Sequence, residues 1–71
     1  MKTYLVVFER AAKNWSAYVP DLPGCVAAAD TREETARLIR EAVEFHIEGM
    51  IEEGLPVPEP CAVAEEISVA A

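Results

Sequence analysis

His46 is the only histidine of the chain, and histidine is the side chain best suited to act as a general base near neutral pH or to ligate a metal. Catalysis would need a nucleophile or an orienting carboxylate beside it, and a metal site would need further ligands. At helical spacing its neighbours are Ala42, Val43 and Met50, which are all apolar. The spacing therefore favours a histidine at the edge of the core, and no catalytic, metal or cofactor site is predicted.

Carboxylates are a second kind of group that could do chemistry, and they are abundant. The chain has 13 acidic residues against 6 Lys and Arg, which gives a net charge of −7. Like charges at helical spacing destabilise a helix, and carboxylates are unfavourable near its C-terminal end. A convex helix face also lacks the concave surroundings that catalysis needs. An acidic stripe is therefore predicted as a docking surface for a basic partner, with a merely solvated face as the alternative. Its members share one side of a helix: Glu41, Glu44, Glu48 and Glu52.

Several classes of function are not expected from this composition. No Gly-rich phosphate loop and no G-x-S-x-G elbow is present, so we do not predict an enzyme. An acidic chain is expected to bind nucleic acid poorly, because proteins bind nucleic acid through basic side chains. No uncharged stretch approaches the ~20 residues of a membrane span and no signal peptide is recognised, so the cytoplasm is the expected compartment. The Glu-rich, amide-poor composition resembles that of thermophile proteins.

The two cysteines, Cys25 and Cys61, fit neither a C-x-x-C motif nor a zinc spacing. In a reducing compartment such residues act as small hydrophobes. The sequence leaves open whether the two are ever paired in a disulfide.

Hydrophobic patterning predicts that these residues are carried by a β-β-β-α-β chain. Lys2 to Glu9 and Trp15 to Pro20 alternate in hydrophobicity and are joined by a five-residue connection, which predicts an antiparallel hairpin. Cys25 to Ala29 is predicted as a short third strand and Cys61 to Val69 as a fourth. A strand that follows a helical crossover lies parallel to its neighbour. We therefore predict one α+β domain over residues 1–71, with one long helix on one face of a mixed four-stranded sheet.

Local signals mark both ends of the helix. Thr31 and Glu34 form a T-x-x-E capping box, and Asp30 precedes it. Gly54, followed by leucine and proline, is a stop signal. The helix is therefore expected from about Arg32 to about Glu53. Its core stripe is expected to contain Ile39, Ala42, Val43, His46 and Met50, flanked by Leu38, Phe45 and Ile47.

A tight turn is expected before the third strand. Each proline in Pro20-Asp21-Leu22-Pro23-Gly24 fixes its own φ, and Gly24 can adopt a positive φ without steric cost. This turn with Cys25, followed by Asp30-Thr31-Arg32-Glu33-Glu34, resembles the HicB-type antitoxin family, and the resemblance extends over about Tyr4 to Pro60. It implies a βββαβ domain, described as a reduced ribonuclease-H-like fold, that binds and masks a small basic RNA-cleaving toxin of the HicA type.

Two departures from the family pattern qualify this resemblance. Ala29 stands where the family usually has glycine, and Ala71 ends the chain where many members continue into a DNA-binding domain, so operator binding is not implied. Ribonuclease H catalysis uses an acidic residue on the first strand, and Lys2 to Phe8 contains none. The alternatives to an antitoxin are a stand-alone homo-oligomeric domain with a regulatory or ligand-binding role, and a minimal enzyme around His46.

Self-association is expected because a core below ~70–80 residues rarely supplies enough stability alone. A dimer is the simplest form. A single helix covers only one face of the sheet, so Leu5, Val7, Tyr18 and Val26 could line an interface on the other face. The last or third strand could instead pair edge to edge with its mate. The sequence does not choose between these two interfaces.

Overall fold

The computed structural model describes all residues, 1–71, and contains three strands followed by one helix. The strands β1, β2 and β3 span Val7–Arg10, Trp15–Tyr18 and Val26–Ala29, and the helix α1 spans Arg32–Glu52. The strands form one antiparallel sheet in the order β1-β2-β3. The predicted α+β class, the antiparallel hairpin and the long helix on the sheet are therefore confirmed.

The register separates the two faces of the sheet. Phe8, Ala17 and Ala27 are aligned across the strands and contribute to the core under α1. Tyr18 and Val26 are paired on the opposite face, where they are 40% and 65% exposed. The small side chains of β3 let a helix approach closely, and α1 packs on β3 and β2 with little contact to β1.

The core is small, and the turn between β2 and β3 contributes a side chain to it. Leu22, in that turn, is fully buried and belongs to the same core cluster as Ile39 of α1. Thr35 is the one buried polar residue, and its hydroxyl donates to the carbonyl of Thr31 at 2.8 Å. Its hydrogen bond removes the cost of burying a hydroxyl. The buried apolar residues are Ala17, Val19, Leu22, Cys25 and Ile39.

The first strand begins later, and the second strand ends earlier, than their hydrophobic patterns predict. The observed register pairs Val7 with Tyr18, and its continuation would place Leu5 opposite Pro20. Proline has no N–H to donate to a ladder, so the pairing cannot extend through this position.

The C-terminal end of α1 agrees with the predicted stop to within one residue. Gly54 has a φ of +72°, and its N–H donates to the carbonyl of Ile51 at 3.1 Å. The N–H of Leu55 donates to the carbonyl of Met50 at 2.9 Å. These two bonds form a Schellman motif, which requires the left-handed residue that glycine supplies.

The predicted fourth strand is wrong for the isolated chain. No backbone–backbone hydrogen bond involves a residue beyond Leu55, and the sheet is a three-stranded antiparallel one. Val63, Ile67 and Val69 are 91%, 76% and 77% exposed. The segment just before these residues explains their exposure. The backbone N–H groups of Cys61 and Ala62 donate to the side chain of Asp21 in the β2–β3 turn and not to a strand. We call residues 63–71 the C-terminal arm.

Candidate functional site

The proline-containing turn has the backbone that its sequence requires. The N–H of Leu22 donates to the carbonyl of Val19 at 3.0 Å, and the N–H of Cys25 donates to that of Leu22 at 3.1 Å. Gly24 has a φ of +86°, as expected for a glycine at this position. Since Leu22 is fully buried, the turn closes the core. Pro20 and Pro23, like Gly24, are exposed.

Asp21 has a role that sequence reasoning missed. Its carboxylate accepts the N–H groups of Cys61 and Ala62 at 3.0 and 3.1 Å and the Cys61 thiol at 3.1 Å. The bond from Ala62, followed by those from Cys61, holds the pKa of this carboxyl below its ordinary value. The same contact raises the pKa of the Cys61 thiol. Both cysteines are free thiols, and Cys25 is buried while Cys61 is exposed.

The start of α1 carries one half of the predicted capping box. The Thr31 hydroxyl accepts the N–H of Glu34 at 3.1 Å. The Glu34 side chain does not return to Thr31 and instead pairs with Arg37, which lowers the pKa of Glu34. Asp30 is exposed just before the cap. No residue other than glycine has a positive φ, so Ala29 fits this loop without strain.

His46 lies half-buried on α1. No group of three or more His, Cys, Asp and Glu side chains is arranged to hold a metal ion. No helix of the chain is both long and apolar enough to cross a bilayer.

The four predicted docking residues, which we call the acidic face, are all exposed on α1. Glu41 pairs with Arg37 at 2.8 Å. Glu44, Glu48 and Glu52 form no ion pair, and the last turn of α1 contains no basic residue. Three of the four residues of this face therefore present uncompensated negative charge to solvent.

Phe45 lies beside the acidic face, and the prediction that it flanks the core is wrong. It is 79% exposed. At about 100° per residue it projects within ~40° of Glu41 and well away from the core residue Ile39. The helix packs on β2 and β3, so nothing in the chain covers this side. An exposed aromatic ring surrounded by charges is the composition of a protein-binding surface.

A groove lies where α1 faces the residues that precede β1 and the segment that follows α1. It has a volume of about 640 Å³ and a largely apolar lining that includes Tyr4, Val43, Ile47 and Ile51. A second hollow of about 500 Å³ shares several of these lining residues and extends to Phe8 of β1. Glu44 and Glu48 of the acidic face line the first groove.

These features define a small α+β domain of one antiparallel sheet and one capped helix, with a charged and aromatic helix face turned to solvent. The chain belongs to the HicB-like antitoxin family of bacterial toxin–antitoxin systems, whose family model matches residues 4–70.

Three curated relatives are similar over most of the chain. The UPF0150 protein ssr1765 of Synechocystis is 36% identical over 67 residues, which cover 93% of this chain and 85% of that protein. An uncharacterised 14.9 kDa protein of Haemophilus phage HP1 is 35% identical over 65 residues, 92% of this chain and 49% of the relative. Antitoxin HicB 2 of Photorhabdus laumondii is 29% identical over 62 residues, 87% of this chain and 45% of the relative. The chain thus spans about half the length of two of these relatives.

A solved structure shares the fold. A chain of the HicA3 and HicB3 toxin–antitoxin complex superposes with a TM-score of 0.70 and 30% identity. The match covers 84% of this chain and 70% of that chain. The expected family membership is therefore confirmed.

Proposed function

We propose that this domain is an antitoxin that binds and masks a small basic RNA-cleaving toxin of the HicA type, and that the acidic face of α1 is the docking surface. Membership of the HicB-like family and the likeness to a chain of the HicA3 and HicB3 complex support the class of partner. The role is stoichiometric binding, so it needs no catalytic group or cofactor. It places the protein in the cytoplasm, where a toxin would meet its RNA.

The uncompensated charge of α1 is the observation that carries this proposal. Glu44, Glu48 and Glu52 repel one another and lie near the negative end of the helix dipole, and no basic side chain offsets them. This arrangement is unfavourable in the free domain. It becomes favourable when a cationic surface approaches, because opposite charges then meet across the interface.

Masking follows from the chemistry of an RNA-cleaving protein. Such a protein binds phosphates through Lys and Arg side chains. The acidic face offers carboxylates to the same cations and so competes directly with RNA. Phe45, beside Glu41, adds apolar contact area that the carboxylates of the acidic face cannot supply.

The test uses Glu44→Lys/Glu48→Lys with a purified HicA-type toxin. The matched control is Glu9→Lys/Glu66→Lys, which makes the same change in net charge at two exposed positions off α1. We expect the acidic-face variant to lower the association rate by about tenfold or more and to weaken its salt dependence. It should also protect RNA poorly from the toxin. The control should retain fast association and protection.

A second variant separates the aromatic contact from the charges. Phe45→Ala should leave the association rate near that of the wild type and raise the dissociation rate, because the ring acts after encounter. Association kinetics and RNA protection that are unchanged in Glu44→Lys/Glu48→Lys would show that the acidic face is only solvated.

A further inference from the structure

We propose that the basic toxin docks by adding an extended segment of its own chain to the free edge of β3, where that segment becomes a further strand of the sheet. Its side chains on the helix side pack on Leu38 and Phe45 of α1. The inference rests on the proposed function and names the element of the toxin that docks, an extended segment with apolar and basic side chains.

The outer edge of β3 has backbone groups without partners, because β3 lies at one end of the sheet and is bonded only to β2. The N–H of Val19 donates to the carbonyl of Cys25 at 3.2 Å, which places Cys25 in a hydrogen-bonded pair with β2. Hydrogen-bonded and non-hydrogen-bonded pairs alternate along an antiparallel ladder. Val26 and Ala28 therefore direct their N–H and C=O groups away from β2 and offer them to an added strand.

The composition of β3 favours this edge over the free edge of β1. Natural sheets protect an exposed edge with charged side chains or proline. The strand β1 carries Glu9 and Arg10, whereas β3 reads Val-Ala-Ala-Ala and has neither a charge nor a proline. Val26 at its start is 65% exposed. An apolar edge without such protection is suited to pairing with a strand from another protein.

The flank of α1 beside this edge is apolar. At about 100° per residue, Leu38 and Phe45 project within ~20° of each other, and Val43 projects at least ~140° away from both. Val43 lines the hollow that extends to β1. Since α1 packs on β2 and β3, Leu38 and Phe45 lie on the β3 side of the helix. Leu38 is half-buried and Phe45 is 79% exposed, so a strand added to β3 would cover apolar surface on both.

The direction of α1 places these two side chains along the added strand. Only Asp30 and Thr31 separate the end of β3 from the start of α1, so the helix runs back along β3. At 1.5 Å per residue, Phe45 lies ~20 Å from the first residue of the helix. About six extended residues cover this distance, which is an ordinary strand length.

Charge specifies the remaining chemistry of the added segment. Glu52 and Glu41 project within ~20° and ~40° of Phe45. Glu52 forms no ion pair, and Glu41 pairs only with Arg37. Both residues belong to the acidic face, so the edge of β3, the apolar flank and the acidic face form one continuous surface. A segment with Lys or Arg among its apolar residues is complementary to this surface, and an acidic segment is repelled by it.

Amide hydrogen exchange, followed by NMR with and without a purified HicA-type toxin, tests the inference. The N–H groups of Val26 and Ala28 should exchange fast in the free domain and on the order of 100-fold more slowly in the complex. Arg10 is the internal control. The N–H of Ala11 bonds to the carbonyl of Asn14, so by the same alternation Arg10 directs its N–H to the free edge of β1. Its exchange rate should not change.

A backbone variant tests the affinity that this edge contributes. Chemical synthesis of the 71-residue chain with an N-methyl group on Ala28 removes one outward donor and keeps every side chain. The dissociation constant of the toxin should rise about tenfold or more, because a carbonyl of the added strand loses its donor. An N-methyl group on Arg10 is the matched control and should leave the dissociation constant unchanged. Circular dichroism confirms that both variants are folded.

The possible outcomes separate this inference from the proposed function. A wild-type domain that binds the toxin while Val26 and Ala28 still exchange fast would overturn strand addition and leave the antitoxin role in place. A domain that neither binds the toxin nor protects RNA would overturn both. Slow exchange of the same two amides in the free domain would assign the edge of β3 to a second copy of the chain, and this result also contradicts the inference.

Discussion

The carboxylate of Asp21 accepts both the backbone N–H and the thiol of Cys61, at 3.0 and 3.1 Å, although the two residues are 40 positions apart. This contact joins the β2–β3 turn to the segment that leads into the C-terminal arm. The aspartate of the proline-containing turn therefore does more than shape that turn. Its hydrogen bonds hold the segment that follows α1 against the β2–β3 turn.

The first prediction concerns the reactivity of Cys61. Its thiol is exposed, but the Asp21 carboxylate raises its pKa by accepting its proton in a hydrogen bond and by adjacent negative charge. Because the thiolate is the nucleophile, Asp21→Asn should speed alkylation of Cys61 at mildly alkaline pH by about threefold or more. Cys25 is buried and serves as the internal reference, since it should stay slow in both proteins. Equal rates of Cys61 alkylation in the wild type and in Asp21→Asn would contradict the hydrogen bond between the two residues.

The second prediction is a pH dependence of the same anchor. The pKa of Asp21 is lowered in the folded chain by the bonds from Ala62 and Cys61, below its ordinary value of 3.8. A depressed carboxyl pKa stabilises the fold above the unfolded value, and this contribution is lost as pH falls through the folded value. The amide resonances of Cys61 and Ala62 should therefore shift together in an acid titration, with a midpoint below 3.8. Asp21→Asn should abolish this transition.

The third prediction concerns the side chain that closes the core. Leu22 is fully buried, so Leu22→Ala should lower the free energy of unfolding by about 2–5 kcal/mol through lost burial and a residual cavity. Leu22→Met nearly conserves volume and should cost less than about 1.5 kcal/mol. Urea denaturation of the two variants gives the comparison. An equal decrease in the free energy of unfolding for the two variants would mean that the turn collapses and fills the cavity.

The fourth prediction separates the stability of α1 from its binding role. Glu48→Lys replaces two like-charge pairs, with Glu44 and Glu52, by opposite-charge pairs and suits the C-terminal end of the helix dipole. It should raise the free energy of unfolding by about 0.5–1 kcal/mol at low salt. Glu66→Lys in the arm makes the same charge change and should have little effect. A Glu48→Lys protein no more stable than the wild type would mean that solvent already screens these charges.

The fifth prediction is that the domain does not bind duplex DNA. The net charge of −7 opposes the counterion-release term that drives phosphate binding. Arg32, Arg37 and Arg40 are the closest approach to a basic cluster, and Arg37 is already paired with Glu34 and Glu41. A mobility-shift assay on a promoter duplex provides the test. Tight, salt-sensitive binding would refute the prediction.

The features that the sequence determined by itself are those set by local rules. Thr31 caps α1 because its hydroxyl reaches an N–H only three residues away, and Gly54 ends α1 because its backbone adopts a left-handed conformation. The turn at Gly24 follows from the same residue-level restrictions. The glutamates of the acidic face share one side of α1 because helical periodicity alone dictates it.

Tertiary structure decided whatever depends on which surfaces meet. Phe45 is exposed because α1 packs on β2 and β3, and no periodicity within the helix specifies that placement. The alternating pattern from Cys61 to Val69 shows that this segment can form a strand, but a strand also needs a free edge within reach. The bonds of Cys61 and Ala62 to Asp21 direct the chain elsewhere. A contact across 40 residues leaves no local signal, so only the folded chain shows it.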